Sequence, residues 1–235
     1  MPSRRKTICF LSGALASTVC FSIVCYTLSS TEWVSSEMDC SGINSNSTNP
    51  NGTSSASITY GLFTAKGLLS FCPIFGSSLE NVQVLEALEK QKGVPHILHC
   101  MVVSFLIISL ISTAGSFIIT MYNSVSNPYE TYLGPLGLYT CSSISGILIF
   151  LALILFVVNV EVQNVSAAII IGIRNEISLY NIRNNLNFPF YLLIPAFLSS
   201  LCAIVIIFVY AHASYTEKKK QERPTEEAPK EVMMY

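Results

Sequence analysis

Charge is scarce in this 235-residue sequence: Lys, Arg, Asp and Glu together make up 11% of it, where a soluble domain carries about a quarter. Hydrophobic residues account for 51%, so an apolar core wrapped in a charged surface is excluded. Four stretches, residues 7–29, 97–121, 136–158 and 190–211, contain no Asp, Glu, Lys or Arg at all. Ion pathways, proton relays and voltage sensors usually mark themselves with a carboxylate, Lys or Arg inside the apolar run, and none of these is there. A pore lined by Ser, Thr or backbone carbonyls stays open. Histidine is also rare. His96, His99 and His212 have no Cys or carboxylate at metal-ligand spacing and are read as satisfied interfacial side chains. There is no Gly-rich phosphate loop and no nucleophile elbow, so no enzyme activity, cofactor or metal is expected. With a formal net charge of −1, nothing points to nucleic acid, and no such partner is expected.

Long apolar runs are what the chain has in abundance. Residues 97–121 and 136–158 each exceed 20 residues, enough at about 1.5 Å per residue to cross a hydrocarbon core of about 30 Å. Thirteen Ile, Leu, Val and Phe in the first of them supply about 4 to 8 kcal/mol of insertion free energy before the Ser and Thr penalties. The expected fold is therefore membrane all-α: a four-transmembrane-helix bundle with a small extracellular β-sheet and a short amphipathic helix in the first outer loop. The lipid bilayer is its first partner.

The expected order is a cytoplasmic N-terminus (1–6), a first span (7–29), outer loop one (30–96), a second span (97–121), a cytoplasmic loop (122–135), a third span (136–158), outer loop two (159–189), a fourth span (190–211) and a cytoplasmic tail (212–235). The first run is longer than a signal-peptide h-region of about 7 to 15 residues, which favours a retained span over a cleaved one. Arg4, Arg5 and Lys6 at one end and Lys218, Lys219 and Lys220 at the other put both termini inside. Acceptor sequons begin at Asn46, Asn51 and Asn164, all three on the outside.

Cys40 and Cys72 share outer loop one, in an oxidising compartment, and a disulfide between them is expected. Closing that loop adds about 3 to 4 kcal/mol by the chain-entropy argument. Cys20, Cys25, Cys100 and Cys202 lie within spans as small packing residues. Cys9 and Cys141 lie near the cytoplasmic face, unmodified or acylated.

Within outer loop one, residues 41–57 are Ser-, Asn- and Thr-rich and read as a flexible excursion. Ile58, Tyr60 and Leu62 alternate like a strand, and Trp33-Val34 starts another. Ser77 and Glu80 have capping-box spacing ahead of Leu79, Val82, Leu85 and Leu88, with Gly93 and Pro95 as a stop. Small residues recur at contact spacing in the spans: Gly13 with Ser17, Ser112 with Ser116, Ser142 with Gly146, Ala196 with Ser200. They are read as packing inside the bundle, with contacts to a lateral membrane partner as the alternative. In the cytoplasmic hairpin Asn127-Pro128 favours a turn ahead of Tyr129, Pro135 opens the third span, and Gly134 and Gly137 permit close approach. The polar tail ends in Met233 and Tyr235 at the spacing of a PDZ ligand.

Trp33, the segment Thr59 to Phe63 with its Gly61-Leu62-Phe63, the run Tyr122 to Thr131, then Gly134 to Tyr139 and Ile154 to Phe156, together resemble the clarins, over most of the chain. Ser124 to Tyr129 and the basic stretch after the fourth span are most similar to the third paralogue group of that family. The chain departs from the clarin pattern at Phe188-Pro189-Phe190-Tyr191, where clarins often carry Ser-Phe-Trp. Trp33 with Gly61-Leu62-Phe63 also resembles, more distantly, the signature of claudins and peripheral myelin proteins, but one candidate cysteine here precedes the glycine motif. The clarin resemblance implies a non-enzymatic organiser of plasma-membrane complexes and actin-based protrusions, with sensory cells the family's best-known setting, and PDZ or actin-linked scaffolds among its partners. A claudin-like adhesion or barrier protein is the second reading, and an auxiliary subunit of a channel or receptor the third.

Overall fold

Where water is absent every backbone N–H and C=O must be bonded within its own segment, so the charge-free runs have one inexpensive structure, the helix. The computed structural model describes residues 4–42, 55–70, 77–125, 134–173 and 177–222. Among these, four helical spans are long and apolar enough to cross a membrane: residues 7–29, 94–125, 136–161 and 188–213. They lie in α1 (Arg4–Ser29), α3 (Val94–Val125), α4 (Pro135–Glu161) and the pair α6 (Phe188–Tyr191) and α7 (Leu193–Glu222). Packing is cyclic: α1 contacts α3 and α7, and α4 contacts the same two. Two prolines stand where helices start, Pro95 near the head of α3 and Pro135 at the head of α4, where a missing amide donor costs little. Pro195 acts differently. It cannot donate to the Tyr191 carbonyl, and the helix is interrupted at Leu192 between α6 and α7.

Hydroxyls inside the spans turn back onto their own helix. Ser17 donates to the Gly13 carbonyl (3.1 Å), Thr18 to Ala14 (2.9 Å) and Ser109 to Leu106 (2.8 Å). Across the bundle the small residues do what their spacing suggests. Ser17, Ser116 and Ser142 form a hydroxyl chain through α1, α3 and α4, with steps of 3.2 and 3.0 Å. A Cβ at Gly146 would stand 2.8 Å from Ser200 Oγ, so α4 and α7 approach closely there.

Above the bundle stands a five-stranded antiparallel sheet in the order β4-β3-β2-β1-β5. Its strands are β1 (Val34–Gly42), β2 (Ser55–Tyr60), β3 (Thr64–Ser70), β4 (Ser77–Gln83) and β5 (Ile177–Leu186). Val34, Ser36 and Met38 on β1 and Ala56, Ile58 and Tyr60 on β2 alternate inward and are buried. Strand β5 comes from outer loop two, pairs Val34 with Leu186 and Gly42 with Ile177, and carries a bulge at Asn181 (φ 52°) opposite Glu37 and Asp39. Two short helices complete the outer layer, α2 (Val84–Gln91) and α5 (Val165–Ile173). They touch backbone to backbone, since a Cβ at Gly172 would lie 2.0 Å from the Ala87 carbonyl oxygen.

Several local expectations change. Ser77 and Glu80 do not cap a helix: they lie in edge strand β4, paired to β3, and Asn81 at φ 53° breaks the helical period there. The amphipathic helix exists but begins at Val84, burying Val84, Ala87 and Leu88, and ends at Lys92 in the left-handed region rather than at Gly93. Strand β2 stops at Tyr60, leaving Leu62 in the turn. Both ends of the polar excursion are strand, since β1 runs to Gly42 and β2 starts at Ser55. Of the span cysteines, Cys20 is buried, Cys25 and Cys100 are half-buried, and Cys202 is exposed on the bundle surface.

Candidate functional site

The residues that decide this architecture meet on one seam between the sheet and the bundle. Trp33 follows the end of α1 and is fully buried. Its indole N–H donates to the Thr27 carbonyl at 2.7 Å, in the last turn of α1, where that oxygen otherwise has only a long 3.3 Å contact from Ser30 N–H. The Trp33 backbone N–H donates to Tyr60 (2.9 Å), and its carbonyl accepts from Asn187 (2.8 Å). Its ring packs edge-on against Phe156 of α4, centroids 4.9 Å apart, and Phe190 of α6, at 6.4 Å. One residue, by ring and backbone together, thus ties the first span to β2, to the segment after β5 and to the third span.

Gly61 makes the crossing beside it possible. A Cβ there would lie 2.2 Å from the Ser30 carbonyl oxygen and 2.8 Å from Thr31 Cα, both backbone atoms that cannot step aside. Leu62 is buried next to it, and its carbonyl lies 2.8 Å from Nε2 of the buried His99. A carbonyl only accepts, so Nε2 carries the proton and Nδ1 of the neutral ring is a bare acceptor. Among the described residues Nδ1 has no partner, so His99 is satisfied on one side only. Phe63 turns outward, 42% exposed, while its carbonyl accepts from Val84 N–H at the start of α2.

A second cluster joins outer loop two to the sheet. Ser36 and Ser166 each donate to Asn184 Oδ1 (2.7 and 2.8 Å), their hydroxyl oxygens lie 2.7 Å apart, and Tyr60 OH lies 3.0 Å from Ser166 Oγ. Asn184 Nδ2 donates to the Val160 carbonyl at 3.2 Å. Tyr60 OH then donates to Ser166 Oγ, so all three hydroxyl protons are committed and the Ser36–Ser166 approach is a contact between acceptors of the same cluster. Burial pushes the Tyr60 phenol well above its ordinary value. The cluster holds no charged group, and its chemistry is positional: it joins β1, β2, α5, β5 and the end of α4. Reasoning from sequence missed Ser36, Ser166 and Asn184 because isolated Ser and Asn in a polar loop carry no periodic signal. His99 was findable as the histidine inside an apolar run.

The outward face of the sheet is polar. It holds a hollow of about 410 Å³ lined by Glu37, Asp39, Ser57, Asn181 and Arg183 among others. Asn181 Nδ2 donates to Asp39 Oδ2 at 2.9 Å, and Glu37 stands opposite Arg183 across β1 and β5. Among the described residues no group of three or more His, Cys, Asp or Glu is placed to hold a metal.

The remaining sequence candidates are scattered. Asn164 is exposed at φ 49° between α4 and α5, while Ser166 of the same sequon is buried in the polar cluster. On the opposite side of the membrane Gly134 is the N-cap of α4, followed by Pro135, and Gly137 is half-buried. Cys40 pairs with Leu179 in the β1–β5 register. Asn46, Asn51, Cys72, Asn127, Pro128, Tyr129, Met233 and Tyr235 lie outside the described residues.

A family model described as Clarin-2-like matches residues 5–208, from the head of α1 through both outer loops and into α7. The chain belongs to the clarin family. Clarin-3 of Mus musculus is 32% identical over 237 residues and Clarin-3 of Homo sapiens 30% over 235, each covering all of both chains. Clarin-1 of Homo sapiens is 30% identical over 173 residues, 72% of each. As a clarin with four membrane-crossing helices, the chain is a tetraspan, multi-pass membrane protein, and the matched region includes Trp33, Gly61 and the whole sheet seam.

Proposed function

We propose that this clarin is a non-enzymatic organiser of membrane complexes at the plasma membrane, with both termini in the cytoplasm. One observation carries the reading: the Trp33 clamp and the Ser36–Tyr60–Ser166–Asn184 cluster join the sheet to the bundle as one rigid platform. Such a platform holds a polar face outside, and four spans without an ionisable Asp, Glu, Lys or Arg below it. That is a surface for holding partners in fixed orientation. Basic residues at both ends of the chain support the cytoplasmic placement of the termini. Inside, the hairpin from Tyr122 to Pro135 and the terminal Met233 and Tyr235 serve lateral membrane proteins and PDZ or actin-linked scaffolds, in keeping with the role in actin-based protrusions that family resemblance implies. Outside, Cys40 is joined to Cys72, and the sequons at Asn46, Asn51 and Asn164 carry glycans.

The deciding experiment is proximity labelling from the C-terminus in polarised epithelial cells, run beside a cell-aggregation assay. Enrichment of actin-linked scaffolds without aggregation is expected. Aggregation that depends on the outer loops, with junction proteins as neighbours, replaces this reading with adhesion. The polar hollow on the outward face of the sheet is the feature that favours that second reading. Peptide mapping without reductant is expected to recover the Cys40–Cys72 link; two alkylated thiols remove it.

A further inference from the structure

His99 of α3 and Asn159 of α4 are fully buried where the seam between those helices meets the sheet. The two helices run antiparallel, and Ser116 meets Ser142 across them, hydroxyl oxygens 3.0 Å apart. His99 stands seventeen residues before Ser116, and Asn159 seventeen after Ser142. Seventeen residues come within about 20° of a whole number of helical turns, so His99 and Asn159 keep the level and the face of the serine pair. A second contact fixes their proximity. Asn159 Nδ2 donates to the Pro95 carbonyl at 3.3 Å, and in the ladder of α3 that carbonyl is the partner of the His99 backbone N–H. Helical side chains lean back toward the N-terminus, so the His99 ring lies over the turn that Asn159 touches.

Each side chain is held in one orientation by a backbone carbonyl. The Leu62 carbonyl, 2.8 Å from Nε2, accepts the proton of the His99 ring and leaves Nδ1 a bare acceptor. The Pro95 carbonyl accepts from the Asn159 amide nitrogen, which leaves Oδ1 as the other end of the amide. Among the described residues neither Nδ1 nor Oδ1 has a partner. Two acceptors cannot satisfy each other, and turning either group over would set an acceptor against a carbonyl. A buried acceptor without a donor is costly, so the pair calls for one small molecule that donates twice. A cation does not suit the place. Glu161, the nearest carboxylate in sequence, is exposed, and Val102 and Phe156, one turn deeper on the two helices, are fully buried apolar neighbours.

We propose that this point of the α3–α4 seam is a binding site for a single ordered water molecule, which donates one proton to His99 Nδ1 and the other to Asn159 Oδ1. Two polar partners in a buried polar setting meet the requirement for an internal water. The span in α3 begins at residue 94 and that in α4 ends at residue 161, so the site lies within two turns of the membrane boundary, on the side of the sheet. The bridge carries the Leu62–His99 bond across to α4, and so joins the turn after β2 to both helices.

The test uses the full chain in lipid bilayers, labelled with nitrogen-15 at histidine and tryptophan, and solid-state NMR that reads how fast polarisation passes from water protons to each ring. His96 is half-buried and His212 exposed, and H96Q/H212Q leaves His99 as the remaining histidine of the three. Trp33 is the dry reference, since its indole is as fully buried and is bonded to protein. The His99 ring is expected to carry its proton on Nε2 alone and to polarise from water faster than Trp33. Asn159→Leu is expected to lose that excess. A His99 ring as slow as Trp33 overturns the site, whether or not Asn159→Leu folds. Protons on both ring nitrogens overturn it too, because Nδ1–H then donates to Asn159 without a water. An excess that persists in a folded Asn159→Leu chain overturns the bridge to α4.

Discussion

At the scale of single residues, the seam is governed by atoms that have no room or no spare proton. Gly61 is needed for a close approach and not for an unusual dihedral, as none of the described glycines has positive φ. Replacing it by Ala forces a Cβ into two backbone atoms of the Ser30–Thr31 turn. The expected cost is about 3 kcal/mol or more, at the upper end for single substitutions. In detergent the variant is expected to melt well below the parent chain, and an unchanged melting temperature refutes the close-approach argument. Tyr60→Phe removes the hydroxyl that donates to Ser166, and about 1 to 2 kcal/mol is expected to be lost. It also changes the alkaline limb. Tyr60 has a folded-state pKa raised by burial above the ordinary 10.0, so the unfolded chain releases that proton first. The stabilisation is fully present below about pH 10 and is lost as pH rises from there toward the raised folded-state pKa. Unfolding titrations should show a shallower alkaline fall in Tyr60→Phe than in the parent chain.

Two glycines separate close helix packing from tight helix packing at the scale of elements. At Gly172 the added Cβ meets the Ala87 carbonyl, which belongs to the backbone of α2 and cannot yield without moving the helix. At Gly146 it meets Ser200 Oγ, a side-chain atom that rotates away. Gly172→Ala is therefore expected to be the more damaging change, by about 1 to 3 kcal/mol of overpacking, with Gly146→Ala costing under about 1 kcal/mol. Comparative thermal unfolding of the two variants checks the order, and a reversed order refutes it. The hydroxyl chain Ser17–Ser116–Ser142 belongs to this scale too, since it couples three helices through side chains that would otherwise bond only to their own backbones.

For the whole molecule, the decisive contact is the longest in sequence. Strand β1 leaves the first span and is flanked on one side by β2, but its other edge waits for β5, about 140 residues later. Asn184 holds that closure, accepting from Ser36 and Ser166 and donating to the end of α4. Asn184→Ala removes all three of those hydrogen bonds. Hydrogen exchange is expected to rise sharply at the β1 and β5 amides while the span helices stay protected. Uniform deprotection of spans and sheet together would show that sheet and bundle unfold as one unit.

The spans, their number and the helix starts at Pro95 and Pro135 were legible in the sequence, because lipid removes every alternative for a charge-free run of over 20 residues and proline has few places to stand. So were the inward alternation of Ile58 and Tyr60 and the packing role of Gly13, Ser17, Ser142 and Gly146, which follow from local periodicity. The sequence by itself also determined the family, through residues such as Trp33 and Gly61 whose types are demanded by one buried ring and one backbone crossing. Only the tertiary structure decided that Ser77 to Gln83 is a strand, that outer loop two supplies β5, and that Ser36, Tyr60, Ser166 and Asn184 meet. The physical reason is the same in each case: an edge strand and a neutral polar cluster are stabilised by partners far away in the chain, and local pattern carries no record of distant partners.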